Sequence, residues 1–352
     1  MRSIQIGTRT VVATDVLRSY WHVAAERQRV YHRRLSGVPA PWTSDLTLSS
    51  YRFTNAYRAA DRVSQDLIRI QYSGSRDAED LLLRTLLYRF FNKPATWRVI
   101  EDAVGVVSTE TFDPAAIDRE LERVLARGQR VYSAAYIIPP PPFGARRKHL
   151  NHLRLAEHIL ACGAAERIRE APTLQQVYAI LSSFPSLGPF LAFQLTIDLN
   201  YTTLVDFDEN EFVVAGPGAR SGIAKCFADT GGLDPESLIR WAVEHQSEEF
   251  ERYELDFQDL FGRPLALIDC QNLFCETDKY ARVAHPDATG IGSRTRIKQR
   301  FTPQAPAPSP FFPPKWGIND RAVTALTHRR QAPSDDLFSG VLDLNGLERA
   351  AG

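Results

Sequence analysis

Apolar residues recur every three to four positions through much of this chain, and that period predicts a helical protein. Over residues 14–36, Val16, Tyr20, Val23, Val30 and Tyr31 fall toward one side, with Arg27, Arg29, Arg33 and Arg34 among the polar positions. Helices are further expected over 46–72, 78–91, 114–127, 149–162, 173–184 and 235–260, with Lys93-Pro94 as a stop after the third. Alternating, strand-like pattern is scarce; LVDF (204–207) and EFVV (211–214) are the candidates. The fold class expected is mainly α.

The run IIPPPPFGARRK (137–148) interrupts the helical period and marks a boundary between two helical lobes. Residues 1–140 are taken as the first lobe and 141–285 as the second. Residues 286–352 form a Pro- and Arg-rich tail, either wrapping the body or partly disordered.

Within the second lobe, residues 182–222 read as a helix, a tight Pro-Ser-Leu-Gly turn, a second helix, a cluster of acids and a Gly-Pro-Gly loop. The start of a helix after such a turn offers backbone N–H groups to a phosphate. Asp206, Asp208, Glu209 and Glu211 fall within six residues. They form either a solvated turn or a catalytic centre, in which one carboxylate stabilises a sugar cation and orients water. The loop AGPGARSG (215–222) either cradles a phosphate with its N–H groups and Arg220 or is a tight turn. No Gly-Lys-Ser/Thr follows it, so it is no nucleotide-binding loop. In the first lobe, Asn55, Arg58 and Arg62 share a face if that segment is helical. They either line a base pocket or belong to a buried Arg–Asp network with Asp61. CETDKY (275–280) reads as an interhelix ion pair.

Composition changes this picture in two ways. The 352 residues are 44% apolar and 24% charged, with formal net charge zero, so contact with nucleic acid must come from local patches such as Arg146-Arg147-Lys148 and Arg294 to Arg300. The four cysteines, Cys162, Cys226, Cys270 and Cys275, suit neither zinc nor an iron–sulfur cluster and are expected as free thiols. No metal and no cofactor are expected. The absence of a long apolar run and of a signal-peptide pattern points to a cytoplasmic protein without membrane contact.

PWTSD (41–45), YRFTNAYRAADRV (51–63), LGPFLAFQLTIDLNY (187–201), AGPGARSG and NLFCETDKY (272–280), in that order, resemble a known family. It is the glycosylase-like helical domain of phage DNA-hypermodification proteins, which includes 5-hydroxymethyl-deoxyuridine DNA kinases and alpha-glutamyl/putrescinyl-thymine pyrophosphorylases. It is similar, at greater distance, to helix–hairpin–helix DNA glycosylases. The likeness spans roughly residues 15–285. It implies a two-lobed helix–hairpin–helix glycosylase-like fold and action on a modified pyrimidine in double-stranded DNA by a monomer. It also implies Asp206 or Asp208 as the catalytic acid. Asn55, Arg58, Arg62, Trp42, Asp198, Asn200, Tyr201 and Glu211 would surround the base. Ser186, Gly188, Gly216, Gly218 and Arg220 would hold phosphates. Phe190 stands where glycosylases with lyase activity carry a lysine. The expected activity is therefore a monofunctional glycosylase that flips out a bulky base such as glucosylated 5-hydroxymethylcytosine, leaves an abasic site and serves anti-phage defence. The alternatives are a pyrophosphorylase-type transferase on thymine and a non-catalytic DNA-binding module.

Overall fold

The computed structural model describes residues 1–134, 138–292, 294–302 and 309–324. The protein is mainly α-helical. Among the described residues a three-stranded antiparallel sheet, order β1-β2-β3, is formed by β1 (Arg2–Ile6), β2 (Arg9–Ala13) and β3 (Phe227–Asp229). The helices in chain order are α1 (Asp15–Leu35), α2 (Leu46–Ser50), α3 (Arg62–Tyr72), α4 (Ala78–Phe91), α5 (Pro94–Val104), α6 (Pro114–Ala126) and α7 (Lys148–Ala161). They continue with α8 (Ala164–Arg169), α9 (Leu174–Ser182), α10 (Pro189–Asn200), α11 (Pro217–Cys226), α12 (Pro235–Glu244), α13 (Gln246–Arg252) and α14 (Leu267–Ala284).

Local chemistry sets several of these boundaries. Thr14 caps α1 by accepting the Val16 N–H, and His32, Arg33 and Arg34 in the last turn face the negative end of the helix dipole. Asp113 with Pro114, and Asp234 with Pro235, start α6 and α12 by joining a capping carboxylate to a proline that has no N–H to waste. Two large apolar cores result, beside a small third cluster of Val23, Leu48, Phe53 and Tyr280. One gathers α1, α11, α12, α14 and the sheet around Trp21, Phe274 and Trp241. The other gathers α4, α6, α7, α8 and α9 around Leu86, Phe90 and Ile159. Helix α10 joins them: Leu191 to Asn200 are all buried, with Phe193 and Ile197 in the first core and Leu195 and Leu199 in the second. A helix that is apolar nearly all round can have no solvent face.

The structure departs from the sequence expectation in several places. The single helix expected over 46–72 is broken from Tyr51 to Asp61, because the backbone there spends its N–H groups elsewhere. Arg52 N donates to Gln299 O, Thr54 N to Glu276 Oε2, Asn55 N to Asp61 Oδ1 and Arg58 N to Asp269 Oδ1. Asn55, Arg58 and Arg62 thus share no helix face. Helix α4 ends at Phe91, as the Lys93-Pro94 stop implied, with Asn92 at a left-handed φ of 49°, but Pro94 then starts α5, a helix that was not expected. Residues 235–260 split into α12, α13 and a loop from Tyr253 onward. LVDF and EFVV are loops; the strands are the N-terminal hairpin and Phe227–Asp229.

Residues 309–324 pack onto the body, with Phe312, Ile318 and Ala322 fully buried in the first core. The remainder of the tail, 303–308 and 325–352, lies outside the described residues, as does part of the proline run, 135–137. Among the described residues no helix is long and apolar enough to cross a membrane.

Candidate functional site

Asp198, on buried α10, accepts Arg58 Nη2 at 2.7 Å on Oδ1 and Arg89 Nε at 2.7 Å on Oδ2, with Arg89 Nη2 also on Oδ1 at 2.7 Å. All three side chains are at most 2% exposed. Arg58 Nε also donates to Gln194 Oε1 at 3.0 Å, and its guanidinium lies 5.6 Å from the Tyr201 ring centre. One carboxylate therefore ties α10 to α4 and to the irregular 51–61 segment. Breaking such a pair on one side leaves a buried charge uncompensated. Arg58, Asp198 and Tyr201 are held inside the protein.

A second polar layer lies beside this hub. Arg27 of α1 donates to Thr54 O (2.8 Å), Phe53 O (3.3 Å) and Asn55 Oδ1 (3.1 Å). Asn55 Nδ2 donates to Ala60 O at 2.8 Å. Glu276 of α14 accepts Thr54 N and pairs with Lys279 at 2.6 Å, while Lys279 Nζ sits 4.5 Å from the Phe53 ring centre. The PWTSD segment docks on the same helices: Thr43 donates to Glu26 Oε1 at 2.5 Å, and Asp45 Oδ2 meets His22 (2.9 Å) and Tyr280 Oη (2.8 Å). Burial opposes the charge on Asp45, but hydrogen bonds from His22, the Leu48 N–H and Tyr280 outweigh it and hold the carboxyl at about 2. The motif segments PWTSD, YRFTNAYRAADRV, LGPFLAFQLTIDLNY and NLFCETDKY, far apart in the chain, thus form one continuous polar system.

Three carboxyls in that system are pushed well above the usual range. Burial raises Asp61 to about 7, with the nearby Glu276 charge adding and the Asn55 N–H, Arg27 and Arg58 opposing. Burial likewise raises Glu209 to about 7 against the pull of Arg263, and Asp269 to about 6 against N–H donors from Arg58 and Ala266. Acids that titrate near neutral pH are the groups able to exchange protons in catalysis. Glu209 and Asp269 are buried, whereas Asp61 is half-buried. Asp61 is followed in the chain by Arg62, from which a basic and aromatic surface extends. Arg62 is exposed, and Arg34, close enough to feel its charge, lies 5.1 Å from the Trp42 ring centre. Trp42 packs edge-on against Phe301, and Arg300 lies 4.5 Å from the Tyr51 ring centre.

The acid cluster is arranged differently. Asp206 is 81% exposed and pairs with Lys315 at 3.0 Å. Asp208 is exposed and accepts the Asn210 N–H within its own turn. Glu211 is exposed and accepts the Leu174 N–H at the start of α9. Glu209 turns inward to Arg263 at 3.3 Å. Asn200 pins the loop with both ends of its amide on Phe207, donating to its carbonyl and accepting its N–H.

The candidate phosphate residues lie in two places. The turn between α9 and α10 holds Ser186 at φ 66°, and Gly188 caps α10 with open space around it. Gly216 and Gly218 start α11, a helix where a loop was expected. A side chain at Gly216 would meet Phe190, and one at Gly218 would meet Cys275 on α14. These glycines let α11 approach its neighbours closely. Arg220 is exposed and pairs with Glu236 at 3.2 Å. Arg27, Asp61, Asp269 and Glu276 escaped the sequence reading as site residues. Asp61 and Glu276 had only their place inside motif segments as a signal, and Arg27 and Asp269 lie outside those segments; the depth of all four came from packing.

Residues 14–290 match the model of the helical domain of 5-hmdU DNA kinase, and the chain belongs to that family. The resemblance read from the motif run over 15–285 is borne out. A 5-hmdU DNA kinase of Bacillus phage SP10 is 28% identical over 287 residues, covering 74% of this chain and 44% of the phage protein. The chain thus spans less than half the length of that relative. No solved structure matches. The family and the relative are named for a kinase, which transfers a group onto its substrate. That overturns the expectation of a base-excising hydrolase leaving abasic sites in anti-phage defence.

Proposed function

We propose, from membership of this family, that the chain engages DNA carrying a 5-substituted uracil and serves group transfer at that substituent, the base staying on its sugar. The observation that carries the reading is Asp61: a carboxyl raised to about 7 lies where motif segments meet, bonded to the Asn55 N–H, near Glu276 and Arg58, and next in the chain to the exposed Arg62. A 5-hydroxymethyl group must lose its hydroxyl proton when it attacks a donor, and a half-buried acid near neutral pH is matched to that task. Asn55 and Arg62 flank Asp61 and would read the base, and Trp42 offers it a stacking face. Arg58, Asp198, Asn200 and Tyr201 hold the scaffold. The α9–α10 pair reads as a helix–hairpin–helix, with Ser186, Gly188 and the positive end of the α10 dipole receiving a DNA phosphate. Arg220 and the α11 start are a second phosphate position.

A second reading keeps the same substrate class and changes the transfer: replacement of pyrophosphate on an activated thymine methyl by an amine. It is supported by the resemblance of the ordered motif run to alpha-glutamyl/putrescinyl-thymine pyrophosphorylases.

The test is fluorescence anisotropy with duplexes that differ at one base, carrying thymine, 5-hydroxymethyluracil or its pyrophosphorylated form, followed by nucleoside mass spectrometry. Tighter binding by tenfold or more to a 5-substituted uracil, with the base retained on the sugar, is the expected result. Mass change with ATP supports the first reading, and mass change with an amine on the pyrophosphorylated base supports the second. Equal affinity for all three duplexes would refute the proposal.

A further inference from the structure

Between α6 and α7, away from the network above, three donor atoms converge. Asp118 and Glu122 stand one turn apart on α6, so both project from one face. His149 is the second residue of α7. Its Nε2 lies 2.8 Å from Asp118 Oδ1 and 3.2 Å from Glu122 Oε1. All three atoms lie within 4.8 Å of one another.

The alternative is an ordinary ion pair, and the geometry argues against it. His149 is 2% exposed and all three donor atoms are sealed from solvent, yet none of them makes a hydrogen bond. Both oxygens are within ion-pair reach of Nε2, but neither lies in line with a proton on it. A buried imidazolium between two carboxylates would point its N–H at one of them. Oxygens that flank the nitrogen axis are what three ligands of one ion look like. With bonds of about 2.0 to 2.2 Å, donor atoms around a common centre lie roughly 3 to 3.4 Å apart. Arg147 occupies the other oxygen of Glu122, Oε2, at 2.9 Å and so leaves Oε1 turned inward.

We propose that Asp118 Oδ1, Glu122 Oε1 and His149 Nε2 bind one divalent transition-metal ion, zinc first and manganese second. One imidazole and two carboxylates suit those ions. Calcium takes six to eight oxygens and copper(I) takes thiolates. The ion clamps the start of α7 to α6. It needs no cysteine, which is why cysteine spacing gave no sign of it. The proposal is independent of the DNA reading.

The test uses the full chain, freed of metal by a chelator and then dialysed, with ZnCl2 or MnCl2 as the probe. Isothermal titration is expected to give one saturable site per chain, and either ion should raise the unfolding temperature. Asp118→Asn and Glu122→Gln keep shape and hydrogen-bonding capacity; each should weaken zinc binding at least tenfold while circular dichroism stays unchanged. His149→Asn should abolish the site. Absence of saturable binding by either ion would overturn the proposal. So would unchanged zinc affinity in the variants, or variants that lower the unfolding temperature equally with and without chelator, the mark of an ion pair alone.

Discussion

Asp61, Glu209 and Asp269 carry a thermodynamic consequence that each residue's environment fixes. Their folded pKa values, about 7, 7 and 6, lie above the ordinary carboxyl values of 3.8 for Asp and 4.5 for Glu. Below about pH 4 both folded and unfolded chains hold these protons. Between that point and pH 7 the unfolded chain releases them while the folded one keeps them, so stability falls as pH rises, then levels off. Asp45 works in the opposite sense: its folded value is about 2, so its contribution is present at neutral pH and lost only as pH falls below 4. The unfolding temperature should therefore decline from pH 5 to pH 8. Asp61→Asn, which can still accept the Asn55 N–H, should flatten part of that decline, stabilising the protein at pH 8 and leaving it unchanged at pH 4. Parallel thermal melts of the two proteins across this range check it. Superimposable profiles would show that Asp61 ionises as it would in water.

At the level of elements, α11 and α14 meet more closely than side chains allow. A Cβ at Gly222 would stand 1.9 Å from the Phe274 carbonyl oxygen, and one at Gly218 2.3 Å from Cys275 Sγ. The first clash is with backbone and cannot be relieved by a rotamer. Gly222→Ala must push the two helices apart and should cost about 3 kcal/mol, read from urea denaturation. Gly188→Ala makes the contrast. Nothing lies within 4 Å of that position and its φ is −66°, so stability should fall by no more than about 1 kcal/mol. If the N–H groups at this turn hold a phosphate, duplex binding should drop in the same variant. Equal stability loss in both variants would mean that α11 and α14 are not in close contact.

For the whole molecule, the segment 309–324 acts as a strap. Lys315 donates to Val205 O at 2.7 Å and pairs with Asp206, Trp316 packs edge-on against Tyr201, and Arg263 lies 3.9 Å from the Trp316 ring centre. The strap thus fixes the acid loop to the core from outside. Phe312 is fully buried, so Phe312→Ala should destabilise the entire fold by about 3 to 5 kcal/mol in equilibrium denaturation. A loss below about 1 kcal/mol would mean that the strap is not bound in solution.

By itself, the chain's pattern determined the helical class, the positions of α1, α4, α6, α7 and α9, and the family. Those follow from local period, capping residues and an ordered run of motifs, all of which are near-neighbour information. It misjudged 46–72, because a helical period there competes with hydrogen bonds that its backbone N–H groups donate to Gln299, Glu276 and Asp269, residues more than 200 positions away. It also ranked Asp206 and Asp208 above Glu209, since spacing says nothing about which member of an acid cluster turns inward. The tertiary structure decided which carboxyls are buried and therefore hold their protons near neutral pH. It decided that glycines 218 and 222 face a helix, and that Asp118, Glu122 and His149 meet. Burial and convergence come from the packing of distant segments, and no local pattern encodes them.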